Sequence, residues 1–231
     1  MSAKISVQYL GHSCFLVTTP KARILIDPFL TGNPMAAAKA EEVQCDYILV
    51  SHAHSDHYGD AVSIAKRTGA TIVAAYELAL HAGAQGAKVH PMGCGGGRSF
   101  PFGRVQLTIA HHTSSVEGPH GSISVAAPVG FLIKAEGKTI YFAGDTALTL
   151  DMELLGSRHS IDLALLPIGD NFTMGPDDAA EAVRLLKPRV VVPMHYNTFD
   201  VIAVNPEGFA REAAKHGCKV EVMNPGACVQ L

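Results

Sequence analysis

Tyr47-Ile48-Leu49-Val50-Ser51-His52-Ala53-His54-Ser55-Asp56-His57 is the stretch on which the reading of this chain turns. Tyr47–Val50 is a short apolar run, read as a buried strand. Three imidazoles and a carboxylate then fall within six residues, His52 to His57. Imidazole and carboxylate are the groups that hold divalent transition metals in catalytic sites. Four of them in so short a stretch are too dense for a packing role. A strand ending at Ser51 puts the cluster where the chain leaves the sheet, the place where α/β proteins carry their chemistry. The expectation is a metal-dependent enzyme.

Working outward, short strands precede the cluster at Ile5–Tyr9, Cys14–Thr18 and Arg23–Asp27. After it, a helix over Ala61–Arg67, a strand over Thr71–Ala75, a helix over Glu77–Ala84 and a strand over Lys88–His90 make a β/α alternation. The four glycines between Gly93 and Gly97 mark a turn. A phosphate loop would need Gly-Lys-Ser/Thr and a helix, whereas Arg98-Ser99-Phe100-Pro101 follows. Arg104–Ala110 alternates as a strand, with Val105, Leu107 and Ile109 on one face. The polar stretch from Thr113 to Pro128 reads as a long loop and a lid candidate.

The second half repeats the grammar. Phe131–Ala135 and Thr139–Ala143 flank the turn Glu136-Gly137 as a hairpin. Strands over Leu163–Leu166, Val190–Met194 and Lys219–Val222 then alternate with helices over Asp178–Leu186 and Glu207–His216. Both halves open with strands and pass to β/α alternation without a linker. The pattern predicts one α/β domain, residues 1–231, built as two sheets sandwiched between helices.

With 48% hydrophobic and 17% charged residues, a substantial buried core is expected. A net charge of −3 argues against a broad nucleic-acid footprint. Five cysteines without a C-x-x-C pair read as reduced thiols of a cytoplasmic protein. Neither a signal peptide nor a membrane span is expected, because no long apolar stretch is present. Exposed sheet edges make a homo-oligomer the expected assembly.

Further metal-ligating types stand at the ends of other strands. His112 follows Arg104–Ala110, Asp145 follows Thr139–Ala143, and His195 follows Val190–Val192. Neighbours in an extended chain point to opposite faces, so only one of His111 and His112 should face a site.

The set His52-x-His54-x-Asp56-His57, His112, Asp145 and His195 resembles the motifs of the metallo-β-lactamase superfamily. Within it, Leu10-Gly11-His12-Ser13, Ile26-Asp27-Pro28-Phe29, Leu166-Pro167-Ile168-Gly169, Phe172-Thr173-Met174 and Pro193-Met194-His195-Tyr196 resemble a branch of small metal-dependent hydrolases related to the ascorbate-6-phosphate lactonase group. The resemblance runs from about Val7 to the C-terminus. It implies an αββα four-layer sandwich with two divalent metal ions, zinc by default, although manganese, iron, cobalt and nickel suit the same ligand types. One ion would be held by His52, His54 and His112, the other by Asp56, His57 and His195, with Asp145 between them. Asp27 would act from behind the ligands, accepting an imidazole N–H. Ala110-x-His112-x-Ser114 matches the family pattern and selects His112, leaving His111 outward. Ala127 departs from the asparagine frequent in that branch.

The function so implied is hydrolysis of a small ester, lactone or phosphoester by a hydroxide bridging the two metals. The metal core would retain a charge of about +1 and accept an anionic substrate. Asp56 would take up a proton as the intermediate collapses, and His12 would give one to the leaving group. His12 can equally serve a structural hydrogen bond. A nuclease of the same fold acting on RNA or DNA and a non-catalytic metal-binding protein are the competing readings. A di-iron redox protein is disfavoured because His54 stands where Glu is usual. Asn171 and Thr173 can contact substrate or cap their loop. His120 is expected in solvent, and His81, His90, His159 and His216 are read as surface or structural residues. Arg98 and Arg104 are anion contacts unsupported by spacing.

Overall fold

The computed structural model describes residues 5–119 and 121–231; the expectations for Met1–Lys4 and for His120 lie outside the described residues. The first sheet begins with the meander β1 (Ser6–Gly11), β2 (Cys14–Thr18) and β3 (Arg23–Ile26). It continues in parallel through β4 (Tyr47–Val50), β5 (Thr71–Ala75) and β6 (Lys88–Met92). The second sheet repeats this plan. The antiparallel strands β7 (Gly97–Phe100), β8 (Gly103–Ile109), β11 (Val129–Ala135) and β12 (Lys138–Phe142) lead into parallel β13 (Leu163–Pro167), β14 (Val190–Met194) and β15 (Lys219–Val220). A separate hairpin, β9 (Ser115–Gly118) and β10 (Gly121–Ser124), lies between β8 and β11 in sequence. The chain closes with β16 (Cys228–Gln230), which returns to the first sheet and pairs with β1.

Period-two alternation sorts the side chains into layers. Ile24 and Ile26 point between the sheets, where they join Phe15, Phe131, Phe142 and Leu163. Leu25, between them in sequence, points outward with Ile48, Val50 and Ile72. That outer face is covered by α2 (Ala61–Thr68) and α3 (Tyr76–Ala84). The outer face of the second sheet, with Tyr141, Ala164 and Leu166, is covered by α4 (Asp151–Arg158), α5 (Pro176–Leu186) and α6 (Pro206–Ala214). The result is an αββα sandwich. Its central strands are buried on both faces, which is why they read as unbroken apolar runs.

Several elements depart from the reading of the sequence, among them strand β7, which was not expected after the glycine turn. The stretch read as a loop from Thr113 to Pro128 contains the β9–β10 hairpin, whose second strand is exposed along its whole length and carries no burial pattern. Helix α4 buries only Met152 while Leu150 and Leu154 stay exposed, so it lacks the apolar stripe that announces a helix. Strand β16 is short and solvent-facing, and it is held by pairing with β1 across most of the chain length. No helix among the described residues is long and apolar enough to cross a membrane.

The two sheets are tied together at one end. The His195 amide donates to the His12 carbonyl (2.9 Å), and the Val129 amide donates to the Ser51 carbonyl (3.0 Å). All the candidate ligands gather at this end.

Candidate metal centre

Each candidate stands where a strand stops. His52 and His54 leave β4, while Asp56 and His57 ride on the single-turn helix α1 (Ser55–Tyr58), so the cluster is part loop and part helix. His112 follows β8, Asp145 follows β12, His195 follows β14, Asp27 follows β3, and His12 sits in the β1–β2 turn. His12, Asp27 and His195 hold left-handed backbone, with φ of 58°, 41° and 55°. Such conformations cost non-glycine residues on the order of 1–3 kcal/mol and persist where packing dictates them. They turn the chain sharply at the strand end. Gly144, just before Asp145, has φ 65°, and a Cβ there would stand 2.8 Å from the Val129 carbonyl oxygen. Glycine is therefore required for this close approach.

Two groups of ligand atoms result. His52, His54 and His112 offer nitrogens all within 4.8 Å of one another, and so do His12, Asp56, His57 and His195 with their own donor atoms. Asp145 lies between the groups. Its Oδ2 is 3.0 Å from His195 Nε2, 3.2 Å from His57 Nε2, 3.7 Å from His112 Nε2 and 4.0 Å from His52 Nε2. Asp56 Oδ2 stands 3.6 Å from His195 Nε2 and 3.8 Å from His57 Nε2.

The orientation of two imidazoles is set from behind. Asp27 Oδ2 accepts from His57 Nδ1 (2.7 Å) and from Ser51 Oγ (2.5 Å), while its Oδ1 accepts from the Ser51 amide (2.8 Å). Ser51 Oγ, its hydrogen given to Asp27, is left to accept from His52 Nδ1 (2.9 Å). One buried carboxylate thus fixes the tautomer of both His57 and His52 and turns each Nε2 toward Asp145. His12 is fully buried, with Nδ1 on Thr198 Oγ1 (2.8 Å) and Nε2 on Asp56 Oδ2 (3.1 Å). It reaches the open cleft only through Asp56.

Electrostatics divides the set. Burial pushes His52 well below the usual imidazole range and lowers His54 and His112 as well, keeping them neutral, the form a metal requires. Burial would lower His57 and His195 too, but Asp145 overrides it. His57 is held well above its ordinary value, and His195 is raised to about 9. Burial acts against the charge of Asp145 as well, yet His195 and His57 hold its carboxyl well below the usual range. Burial lowers His12 to about 4.

The unsatisfied atoms of the donor set bear on its fit to a metal. Asp145 Oδ1 and His195 Nδ1 are buried without a hydrogen-bond partner, and His57 Nε2 and His195 Nε2, close to Asp145 Oδ2, are buried without a well-aligned hydrogen bond. A buried polar group left unpaired costs about 1–3 kcal/mol, and here several such groups converge. Nitrogen and carboxylate donors converging in this way are what a divalent transition metal requires. The residues fit the group.

His111 and His112 part as alternation demands. His112 faces Asp145, whereas His111 is 59% exposed and stands 4.0 Å from Asp151. The cleft over the centre has a volume of about 330 Å³ and is lined by His54, Asp56, His112, Asp145 and His195, with Thr113 and Phe172 beside them. Asn171 and Thr173 do not line it, nor does Arg104, which borders a separate cleft with Lys134. Ser51, Thr198 and Phe172 were not singled out from the sequence as partners of the centre. Ser51 had a signal in its place between strand and cluster, and Phe172 in the motif Phe172-Thr173-Met174.

Residues 6–195 match the family model for the β-lactamase superfamily domain. The chain belongs to the metallo-β-lactamase superfamily. Within this superfamily it is similar to a UPF0173 metal-dependent hydrolase of Pelotomaculum thermopropionicum, 51% identical over 230 residues, covering 98% of this chain and 100% of the relative. A solved metallo hydrolase from the archaeon Ignicoccus hospitalis superposes with a TM-score of 0.90 at 36% identity, covering 99% of this chain and 98% of that one. An isothiocyanate hydrolase from Delia radicum gut bacteria gives a TM-score of 0.76 at 18% identity over 97% of this chain and 98% of its own, a likeness of fold alone. This superfamily member is one of the small metal-dependent hydrolases.

Proposed function

We propose that the chain hydrolyses a small ester or lactone with two divalent metal ions, zinc by default, at the sandwich end described above. His52, His54 and His112 would hold one ion and Asp56, His57 and His195 the other, with Asp145 shared. The observation that carries this reading is the position of Asp145 Oδ2, within 4.0 Å of imidazole nitrogens drawn from both groups. Divalent ions bound there would supply hydroxide at neutral pH and polarise the substrate oxygen.

The protein's own residues then have distinct tasks. Asp27 and Ser51 hold His57 and His52 in one tautomer, so no reorientation is needed on binding. Asp56 borders the cleft and is the group able to hold a proton close to the reacting bond. His12, kept neutral by burial, donates to Asp56 from Nε2 and accepts the Thr198 hydroxyl at Nδ1, and so acts on proton transfer through Asp56. Phe172 stands at the mouth of the cleft, about half exposed.

A panel of lactones, carboxylic esters, thioesters, phosphodiesters and phosphonates, run after zinc and manganese reconstitution, tests the proposal. Turnover of esters or lactones is expected. Turnover of RNA alone would replace this reading with that of a nuclease.

A further inference from the structure

The cleft over the metal centre does not end at His54 and Asp56. The same two residues also border a second cavity of about 420 Å³, which runs beneath β9 toward the ends of α1 and α3. Tyr58, His81, Gln85 and Glu117 line it, with Val116 beside them. A substrate carbonyl placed over the centre therefore has room on one side for the rest of its molecule.

The lining has a definite character. Two carboxylates, Asp56 and Glu117, border the cavity, and among the described residues no lysine or arginine lines either this cavity or the cleft. Lys66 reaches the Gln85 carbonyl (3.4 Å) without lining the space. Gln85 Nε2 donates to the Tyr58 hydroxyl (2.9 Å), which leaves the side-chain Oε1 of Gln85, distinct from the main-chain oxygen that Lys66 reaches, as an acceptor. Glu117 accepts from Ser122 Oγ on the paired strand (2.9 Å), a contact that uses one of its lone pairs. With Asp56 given to the metals, Glu117 is the fixed charge left to the cavity and it is negative, and the acceptors Glu117 and Gln85 Oε1 stand beside the Ser55 and Ser115 hydroxyls and His81.

We propose that this side cavity holds the non-reacting arm of the substrate, and that the arm is a hydrogen-bond donor, hydroxyl- or ammonium-bearing, rather than an anion. The inference rests on the hydrolase reading for the word substrate, but not for the chemistry of the pocket. It narrows the sequence-based expectation of an anionic substrate: negative charge belongs only at the reacting end, against the metals. Gln85, Glu117 and Tyr58 become specificity-determining residues.

The test is a titration of the zinc-loaded protein with butylammonium and with butanesulfonate, read from the methyl resonances of Val116 and the side-chain amide of Gln85. Butylammonium is expected to shift both signals at lower concentration than butanesulfonate. Unit charges about 6 Å apart in water change affinity roughly threefold, so Glu117→Lys should weaken butylammonium and strengthen butanesulfonate by about tenfold each, reversing the preference. Unmoved Val116 and Gln85 signals with both probes, or a preference for the sulfonate, would overturn the proposal. In kinetics, Gln85→Trp should lower kcat/KM for a long-arm ammonium ester relative to its acetyl counterpart through KM; an unchanged ratio would count against the pocket. If no ester is turned over at all, the hydrolase reading fails alone, and the resonance shifts still decide the pocket.

Discussion

Asp27 accepts the Nδ1 hydrogen of His57 at 2.7 Å, and both side chains are wholly buried. The pair explains how a histidine with no room to rotate comes to present Nε2 to Asp145. Because Asp27 also receives the hydroxyl of Ser51, which in turn receives His52 Nδ1, one carboxylate orients a candidate ligand from each group.

All three hydrogen bonds to Asp27 come from donors, so an amide in its place would turn an NH2 group against one of them. Asp27→Asn should therefore weaken metal binding by about 10–100-fold, the usual effect of losing such a partner. Competition with a chelator of known affinity measures it, and binding as tight as in the unaltered protein would contradict the relay.

His112→Ala should lose bound metal, because its ring faces Asp145. The exposed His111 should tolerate alanine with a stability change within about 0.5 kcal/mol and an unchanged metal content. Elemental analysis of the two purified variants gives the answer, and the opposite pattern would show that the wrong neighbour was chosen.

Asp145→Ala removes the carboxylate that faces both groups. Metal content should fall at both sites together, and turnover should disappear. Retention of one full equivalent with the other lost would mean that Asp145 serves a single ion.

Protons must leave when metal enters. His195, raised to about 9, carries a proton at pH 7.5 in the metal-free chain, and Asp145 shifts His57 upward as well against its burial. Calorimetry in buffers of different ionisation enthalpy should therefore show proton release on zinc binding. The same shift has a consequence for stability. A group whose folded value is raised stabilises the fold most fully below its ordinary value, 6.5 for His195, and loses that contribution as pH climbs through about 9. The metal-free protein should show a falling Tm across that window. A Tm rising from pH 6.5 to 9 would refute this assignment of charge.

Much of this site is legible before any coordinates, because strand ends in an α/β chain are punctuated by abrupt changes from apolar to polar residues. Tyr47–Val50 followed by His52, and Val190–Met194 followed by His195, are such changes. Helix α4 and the β9–β10 hairpin escaped because their exposed residues carry no period.

The residue types and spacing by themselves determined which side chains could ligate a metal and that their strands would be buried, since both follow from local chemistry. Only the tertiary structure decided how they meet. Thr198 lies 186 residues from His12, and no spacing rule joins them. The left-handed turns at His12, Asp27 and His195 aim each side chain, and they exist because the packed sheets impose them. The side cavity likewise arises between α1, α3 and β9, elements brought together by burial of their apolar faces rather than by any motif.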